Sequence, residues 1–366
     1  MPTEKYDAVV VGGGPGGSAA AYTLAAAGKK VCLIDKSEFP RDKLCGGGLT
    51  FRSKRAFEQI FKRRWKSELI NSSQNVSFFS KGRFLASYKV DANIYFTMRL
   101  SFDHYLVGLA QEAGATLKLG DAVSEIDLEK NSIVLRSGEQ ISFGFLIGAD
   151  GVNSVVAKTL YGQSFNPETI AFALEAEVPR DRLPQHGDLV EFDFSAARWG
   201  YAWVFPKQKS ITIGIGGLHR LNPDLRSRLD WYLRRKGLDS REFKVKGQYL
   251  PAGDYRVIPG RSNVLLCGDA AGAVDPISGE GIPFAMQTGA AAGRAVATVL
   301  SQPAGRSALE IYCDDWKIVV ASLRASKFWR WFIYPRLSER LFAWVFGCEA
   351  IRKRILVEPA RHTRLT

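Results

Sequence analysis

Residues 7–24 read DAVVVGGGPGGSAAAYTL: an apolar strand, a glycine-rich turn, then a run of small helix-forming side chains. The pattern predicts a strand over Asp7–Val11, a helix over Gly16–Ala27 and, from the apolar stretch that follows, a second strand over Val31–Ile34. Gly12, Gly14 and Gly17 take the spacing GxGxxG between strand and helix, with Gly16 in the same turn. Without a Cβ there, the amides of the helix N-terminus can face a pyrophosphate at close range. Asp35 follows Gly17 by 18 residues, at the end of the second strand. A carboxylate at that point accepts from both hydroxyls of an adenosine ribose and repels a 2′-phosphate. An ordinary tight turn would account for the glycines but not for the acid. The stretch therefore opens a βαβ unit with a dinucleotide at its turn.

GxGxxG does not separate FAD from NAD, and two later segments favour FAD. Residues 145–158, FLIGADGVNSVVAK, form a buried strand ending in Asp150 and Gly151, then a helix that Asn153 or Ser154 can cap. A plain strand-to-helix turn is the alternative there. Residues 263–289, NVLLCGDAAGAVDPISGEGIPFAMQTG, carry a strand over Val264–Cys267, then Asp269, then a loop with Pro276, Gly279 and Gly281 that opens a long helix of small residues. Asp269 suits ribityl hydroxyls. The positive end of the helix, near Gly281, suits the pyrimidine edge of a flavin and would stabilise its reduced anion.

These three segments resemble the class of flavoproteins that includes aromatic hydroxylases, flavin-dependent halogenases and geranylgeranyl reductases. Two more, FPRDKLCGGGLT (39–50) and GYAWVFPK (200–207), are similar to the geranylgeranyl reductase family, the second to its YxWxFP signature. The likeness runs over about residues 5–300; Arg198 stands where the family pattern often has proline. It implies an α/β fold, a Rossmann-type FAD-binding domain with an inserted β-rich substrate domain. It also implies FAD contacts at Lys36, Lys43, Gly46, Arg99, Val123, Gly281 and Ile282, and a reaction in which hydride from reduced FAD saturates an isolated C=C bond of a geranylgeranyl-type chain. The substrate would be a prenyl lipid, a prenylquinone or a prenylated pigment, and the electrons would come from NAD(P)H or a ferredoxin. A monooxygenase or halogenase on the same fold, or a non-catalytic flavin- or lipid-binding protein, are the competing readings.

The residues can also be read without the likeness. Tyr201, Trp203 and Phe205 alternate along a strand and share one face, with Ala202 and Val204 on the other. That face is a wall for an apolar chain, or simply sheet core. Pro206 ends the strand, and ITIGIGG resumes it as a hairpin. Cys45 lies near Arg41 and Lys43 and before three glycines. Such a thiol is a small buried group, a group positioned beside the flavin, or a proton donor with a lowered pKa. Arg99 is expected to end a short strand, with Ser101 capping the next helix; otherwise Arg99 is one half of a surface ion pair. The candidate catalytic residues are Cys45, Tyr201 and Trp203. An unconjugated alkene offers no carbonyl to take up charge, so the site must be dry, aligned and supplied with an acid.

The 366 residues are 46% hydrophobic, enough for a large folded core. Five cysteines without CxxC spacing and four scattered histidines predict neither a disulfide framework nor a metal site, and fit a reducing cytoplasmic setting. No signal peptide or membrane-spanning run is evident. The net charge of +13 gathers at the C-terminal end, where residues 324–364 hold ten Lys or Arg against three Glu. In that tail Trp329, Trp331, Phe332, Tyr334, Phe342, Trp344 and Phe346 alternate with Arg330, Arg336, Arg340, Arg352, Lys353 and Arg354. The pattern suits peripheral contact with a membrane surface, or a helical subdomain with a solvated basic face; no nucleic-acid module accompanies it. The expected organisation is a discontinuous FAD domain (1–162 and 251–300), a β-rich substrate domain (163–250) and a helical segment (301–366).

Overall fold

In the computed structural model, residues 4–303 and 305–336 are described. The first sheet is built on β1 (Glu4–Val11), whose Ala8, Val9 and Val10 are fully buried because both faces of the sheet are covered. A turn and α1 (Pro15–Ala26) lead to β2 (Val31–Asp35), which pairs parallel with β1. After β3 (Gly48–Leu49), α2 (Phe51–Phe61), β4 (Ile70–Ser80), β5 (Arg83–Thr97) and α3 (Arg99–Glu112), the chain adds β6 (Thr116–Leu119) beside β2. The hairpin β7 (Val123–Asp127) and β8 (Ser132–Leu135) precedes β9 (Gln140–Gly148), parallel to β1 on its other side. Helix α4 (Val155–Tyr161) follows.

The second sheet takes β10 (Ala171–Pro179), β11 (Val190–Phe194), β12 (Tyr201–Pro206), β13 (Ser210–Leu218) and, after α5 (Leu225–Arg235), β14 (Val245–Leu250). The chain then returns to the first sheet with β15 (Gly260–Arg261) and β16 (Val264–Leu266), and the described residues close with α6 (Ile282–Ser301) and α7 (Ala308–Arg336). The strand orders are β15-β16-β9-β1-β2-β6 and β14-β10-β13-β12-β11-β4-β5-β3.

Several expectations are corrected. The second sheet is not confined to 163–250, because β3, β4 and β5, from residues 48–97, form one of its edges. Their place in this sheet comes from pairing of β4 with β11, more than a hundred residues away, which no local pattern encodes. The helical segment does not stand apart from residue 301. Tyr312, Trp316 and Leu323 of α7 belong to the core of the first sheet, and the Tyr312 hydroxyl donates to Leu266 O at 2.8 Å. Ser101 caps nothing: α3 begins at Arg99 after Met98, and the strand before it spans 15 residues rather than a short run. The strand expected to end in Asp150 stops at Gly148, and α1 starts at Pro15, where a missing N–H costs nothing. By contrast Ser154 caps α4 as expected, accepting from Ala157 N.

Helices α1 and α6 approach closely enough that a Cβ on Gly289 would stand 2.0 Å from Gly16 O. We expect Gly289→Ala to cost about 1–3 kcal/mol in urea unfolding through forced separation of the two helices. Gly108→Ala on α3 meets nothing within 4 Å and should instead stabilise by about 0.5–1 kcal/mol.

Candidate functional site

Strands β1, β2, β9 and β16 run in one direction, so their carboxyl ends bring residues 12–17, Asp35, 149–151 and 267–269 to one edge of the sheet. That edge is where open α/β sheets bind ligands. Gly12 has φ +106° and is wedged against the chain beyond β9: a Cβ on it would lie 2.3 Å from Ala149 O. Asp35 Oδ2 accepts from Gly13 N at 2.7 Å and Oδ1 from Ser37 N at 2.9 Å, so the carboxylate braces the glycine turn and retains lone pairs for further donors. Lys36 is exposed just beyond it. Val123 opens β7, two residues past Asp121, whose amide donates to Asp35 O at 3.3 Å.

Opposite the turn sits a buried ion pair. Arg99 donates from Nε and Nη2 to the two Asp103 oxygens at 2.6 and 2.7 Å, and Arg41 Nη1 lies 3.1 Å from Asp103 Oδ2. Arg99 is thus paired one turn along its own helix, but the pair is buried rather than on the surface. Burial alone would lower the Arg99 guanidinium; Asp103 outweighs it and holds the charge on. Both guanidinium groups face Gly14: a Cβ there would stand 3.7 Å from Arg99 Nη2 and 3.8 Å from Arg41 Nη2. Lys43 Nζ stands 3.8 Å from the corresponding point on Gly151, and burial together with Arg99 pushes its ammonium down from the usual lysine range. Two guanidinium groups, an ammonium and the unpaired first-turn amides of α1 are a fitting donor set for a pyrophosphate.

Asp150 and Asp269 differ. The Asp150 carboxylate accepts from Ser154 Oγ at 2.6 Å and Val155 N at 2.7 Å, so its side chain secures the start of α4. Burial nevertheless drives its pKa upward. Asp269 lies in the turn after β16, its Oδ1 3.4 Å from where a Gly281 Cβ would be. Gly281 precedes α6, and Ile282 is its first, buried residue.

The candidate substrate side adjoins this cradle. Tyr201, Trp203 and Phe205 lie on one face of β12 and Ala202 and Val204 on the other, as alternation predicts. The loop carrying Cys45 runs across the aromatic face: a Cβ on Gly46 would stand 3.1 Å from both Trp203 Nε1 and the Phe205 ring. The Trp203 N–H is buried without a hydrogen-bond acceptor, the kind of polar atom that a bound ligand completes. Gly47 has φ +73°, and its amide points at Cys45 Sγ at 3.4 Å. Lys207 donates to Cys45 O and to Glu177 Oε2, both at 3.3 Å. Tyr201 donates to Ser278 O, tying the wall to the loop before α6, and burial raises its pKa.

Residues 5–192 match the FAD binding domain family. The menaquinone reductase of Mycobacterium tuberculosis is 33% identical over 78% of this chain and 75% of its own. The geranylgeranyl diphosphate reductase of Rhodobacter capsulatus is 33% identical over 81% and 76%. The chain belongs to the geranylgeranyl reductase family. It is an FAD-dependent oxidoreductase. A geranylgeranyl bacteriochlorophyll reductase-like protein of Thermoplasma acidophilum shares the fold, with a TM-score of 0.76, 23% identity and coverage of 94% and 91%. Within this family member the sequence reading omitted Arg41, Asp103 and Lys207 from the site. The four-residue spacing of Arg99 and Asp103 on one helix was the available signal for that pair.

Breaking the buried pair gives a direct check. Arg99→Met should cost about 3 kcal/mol in urea unfolding by leaving Asp103 to Arg41 alone, and should lower the flavin retained on purification. Adding Asp103→Asn should recover part of the loss in a double-mutant cycle.

Proposed function

We propose that the chain saturates isolated C=C bonds of a prenyl chain carried by a lipid diphosphate, a phospholipid or a quinone. The observation that carries this reading is the aromatic face of β12 lying against the Cys45–Gly48 loop, directly beside the dinucleotide cradle. It is supported by relatives named for reduction of geranylgeranyl diphosphate and menaquinone.

Bound FAD supplies the two-electron chemistry, refilled by NAD(P)H or a ferredoxin. The α1 amides with Arg41, Lys43 and Arg99 hold its pyrophosphate, Asp35 its ribose, and Asp269 and the α6 N-terminus its ribityl and pyrimidine portions. Lys36 and Val123 flank the adenosine end. Asp150 acts one step removed, by fixing the turn that Gly12 packs against. Tyr201, Trp203 and Phe205 exclude water and orient the apolar chain, and the Cys45 thiol serves as the acid for the second carbon.

Among the described residues no helix is long and apolar enough to cross a membrane. Yet Phe328, Trp329 and Phe332 of α7 are 59%, 57% and 41% exposed, with ring centroids 5.1–6.0 Å apart. We assign this cluster to peripheral contact with the bilayer that holds the substrate. Phe342, Trp344, Phe346, Arg340 and the cluster at 352–354 lie outside the described residues.

Two measurements test the reading. Anaerobically reduced protein mixed with geranylgeranyl lipids or menaquinone should be reoxidised as the lipid gains two mass units per bond, and Trp203→Ala or Cys45→Ala should slow this by about 10²-fold or more. Flavin that stays reduced until air is admitted, then turns over with oxygen, would replace reductase with monooxygenase or halogenase. Co-sedimentation with anionic liposomes should fall in a Phe328→Ser, Trp329→Ser, Phe332→Ser variant; unchanged binding would remove the membrane assignment.

A further inference from the structure

Across the second sheet Trp203 pairs with Gly214, Gly214 with Glu175 and Glu175 with Lys246, so these positions form one row on one face. Gly214 brings no side chain, and the Trp203 indole fills the space over it: a Cβ there would stand 2.2 Å from the ring. The indole therefore leans toward Glu175. Glu175 is only 6% exposed. Its Oε1 accepts from Cys45 N at 2.9 Å, while Oε2 is buried with no hydrogen-bond partner. On this one face two orphaned polar atoms, Trp203 Nε1 and Glu175 Oε2, thus flank the Cys45–Gly46 peptide.

A buried carboxylate with an open oxygen is costly, and a carboxylic acid in the same place is much less so. The charged groups facing Glu175 are Lys207 beyond β12, Glu177 on its own strand, and Lys246 on β14. Lys207 is shared with Glu177, and Lys246 is paired with Asp42. Burial pushes the Glu175 carboxyl up to about 7, Lys207 opposing and Glu177 reinforcing the shift.

We propose that Glu175 is the proton reservoir of the reduction, a buried acid that recharges the Cys45 thiol from beneath its loop. This deepens the reductase reading and rests on it. In the step, the alkene π bond breaks as one carbon takes the hydride supplied by reduced flavin. The other carbon takes the proton of the Cys45 S–H bond, whose electron pair stays on sulfur. The thiolate then takes the Glu175 proton, and the carboxylate is reprotonated from water. Glu175→Gln keeps a carbonyl oxygen for Cys45 N–H but holds no transferable proton.

The test uses the flavin-loaded full chain with wild type, Glu175→Gln and Cys45→Ala. Wild-type alkylation of Cys45 by iodoacetamide, with Cys45→Ala as the blank, should show an inflection close to the Glu175 titration that Glu175→Gln lacks. Protonation of a group whose pKa is raised on folding stabilises the fold below the ordinary carboxylate range. That contribution is lost as pH rises through about 7. The melting temperature of Glu175→Gln should therefore gain on wild type between about pH 5 and about pH 8. Reoxidation by prenyl substrate should fall about tenfold or more in Glu175→Gln at unchanged flavin content. Wild-type rates with an unaltered pH profile in Glu175→Gln would overturn the proposal, as would a constant gap in melting temperature. If wild type itself reduces no prenyl substrate, the reductase reading fails and proton delivery to an alkene fails with it. The alkylation profile then separates that failure from an error about Glu175.

Discussion

Close backbone approach at the carboxyl edge of the parallel sheet is the constraint on which the rest of the molecule depends. Three contacts there admit no side chain: Gly12 against Ala149 O, Gly17 against Gly12 O and Gly289 against Gly16 O. The first locks the turn after β1 to the chain leaving β9. The second closes the turn on the head of α1, and the third lays α6 along α1. Because α6 begins at the far end of the candidate site, the same contact that packs two helices also sets how far the glycine turn stands from the Gly281 end of the site. Dispersion and burial of small side chains, Ala20, Ala21 and Ala292 among them, stabilise an arrangement that larger residues would force apart.

Charge is handled within that frame by pairing rather than exposure. Asp103 is fully buried and compensated by two guanidinium groups from different parts of the chain, Arg99 one helical turn away and Arg41 from the loop after β2. A buried carboxylate of this kind is tolerated only with such partners. It couples the loop over the second sheet to the helix behind the glycine turn, so the glycine turn and the Cys45 loop are held by one network.

The second sheet presents two different faces to two different neighbours. Ala202, Val204, Ile213 and Ile215 turn toward α5 and make an ordinary apolar core. The opposite face carries Trp203, Phe205, Glu175 and Glu177, and meets a loop of three glycines, with Ile333 of α7 packed against the same aromatic cluster. Polar and aromatic groups collect where the covering layer is thinnest, as expected where a ligand rather than protein completes the packing. Helix α7 reinforces the arrangement from outside: Arg330 donates to Ala252 O at 2.9 Å and Tyr334 to Ile277 O at 2.8 Å.

What the sequence determined by itself was local. Glycine spacing after an apolar strand, an acid at the end of the next strand, and alternation of rings in GYAWVFP each report on backbone geometry within a few residues, and each is readable because the chemistry admits few alternatives. The β1-α1-β2 unit, the hairpin and the cap at Ser154 follow from such signals. Tertiary structure decided what depends on partners distant in the chain. That β4 and β5 join the sheet of β10–β14 follows from pairing across more than a hundred residues, which no local pattern encodes. That the first turns of α7 are core follows from Trp316 finding the first sheet, not from its neighbours in sequence. Glu175 is one polar residue in an alternating strand, indistinguishable in sequence from a solvated position. Only the loop folded over it removes the water and leaves one carboxylate oxygen without a partner.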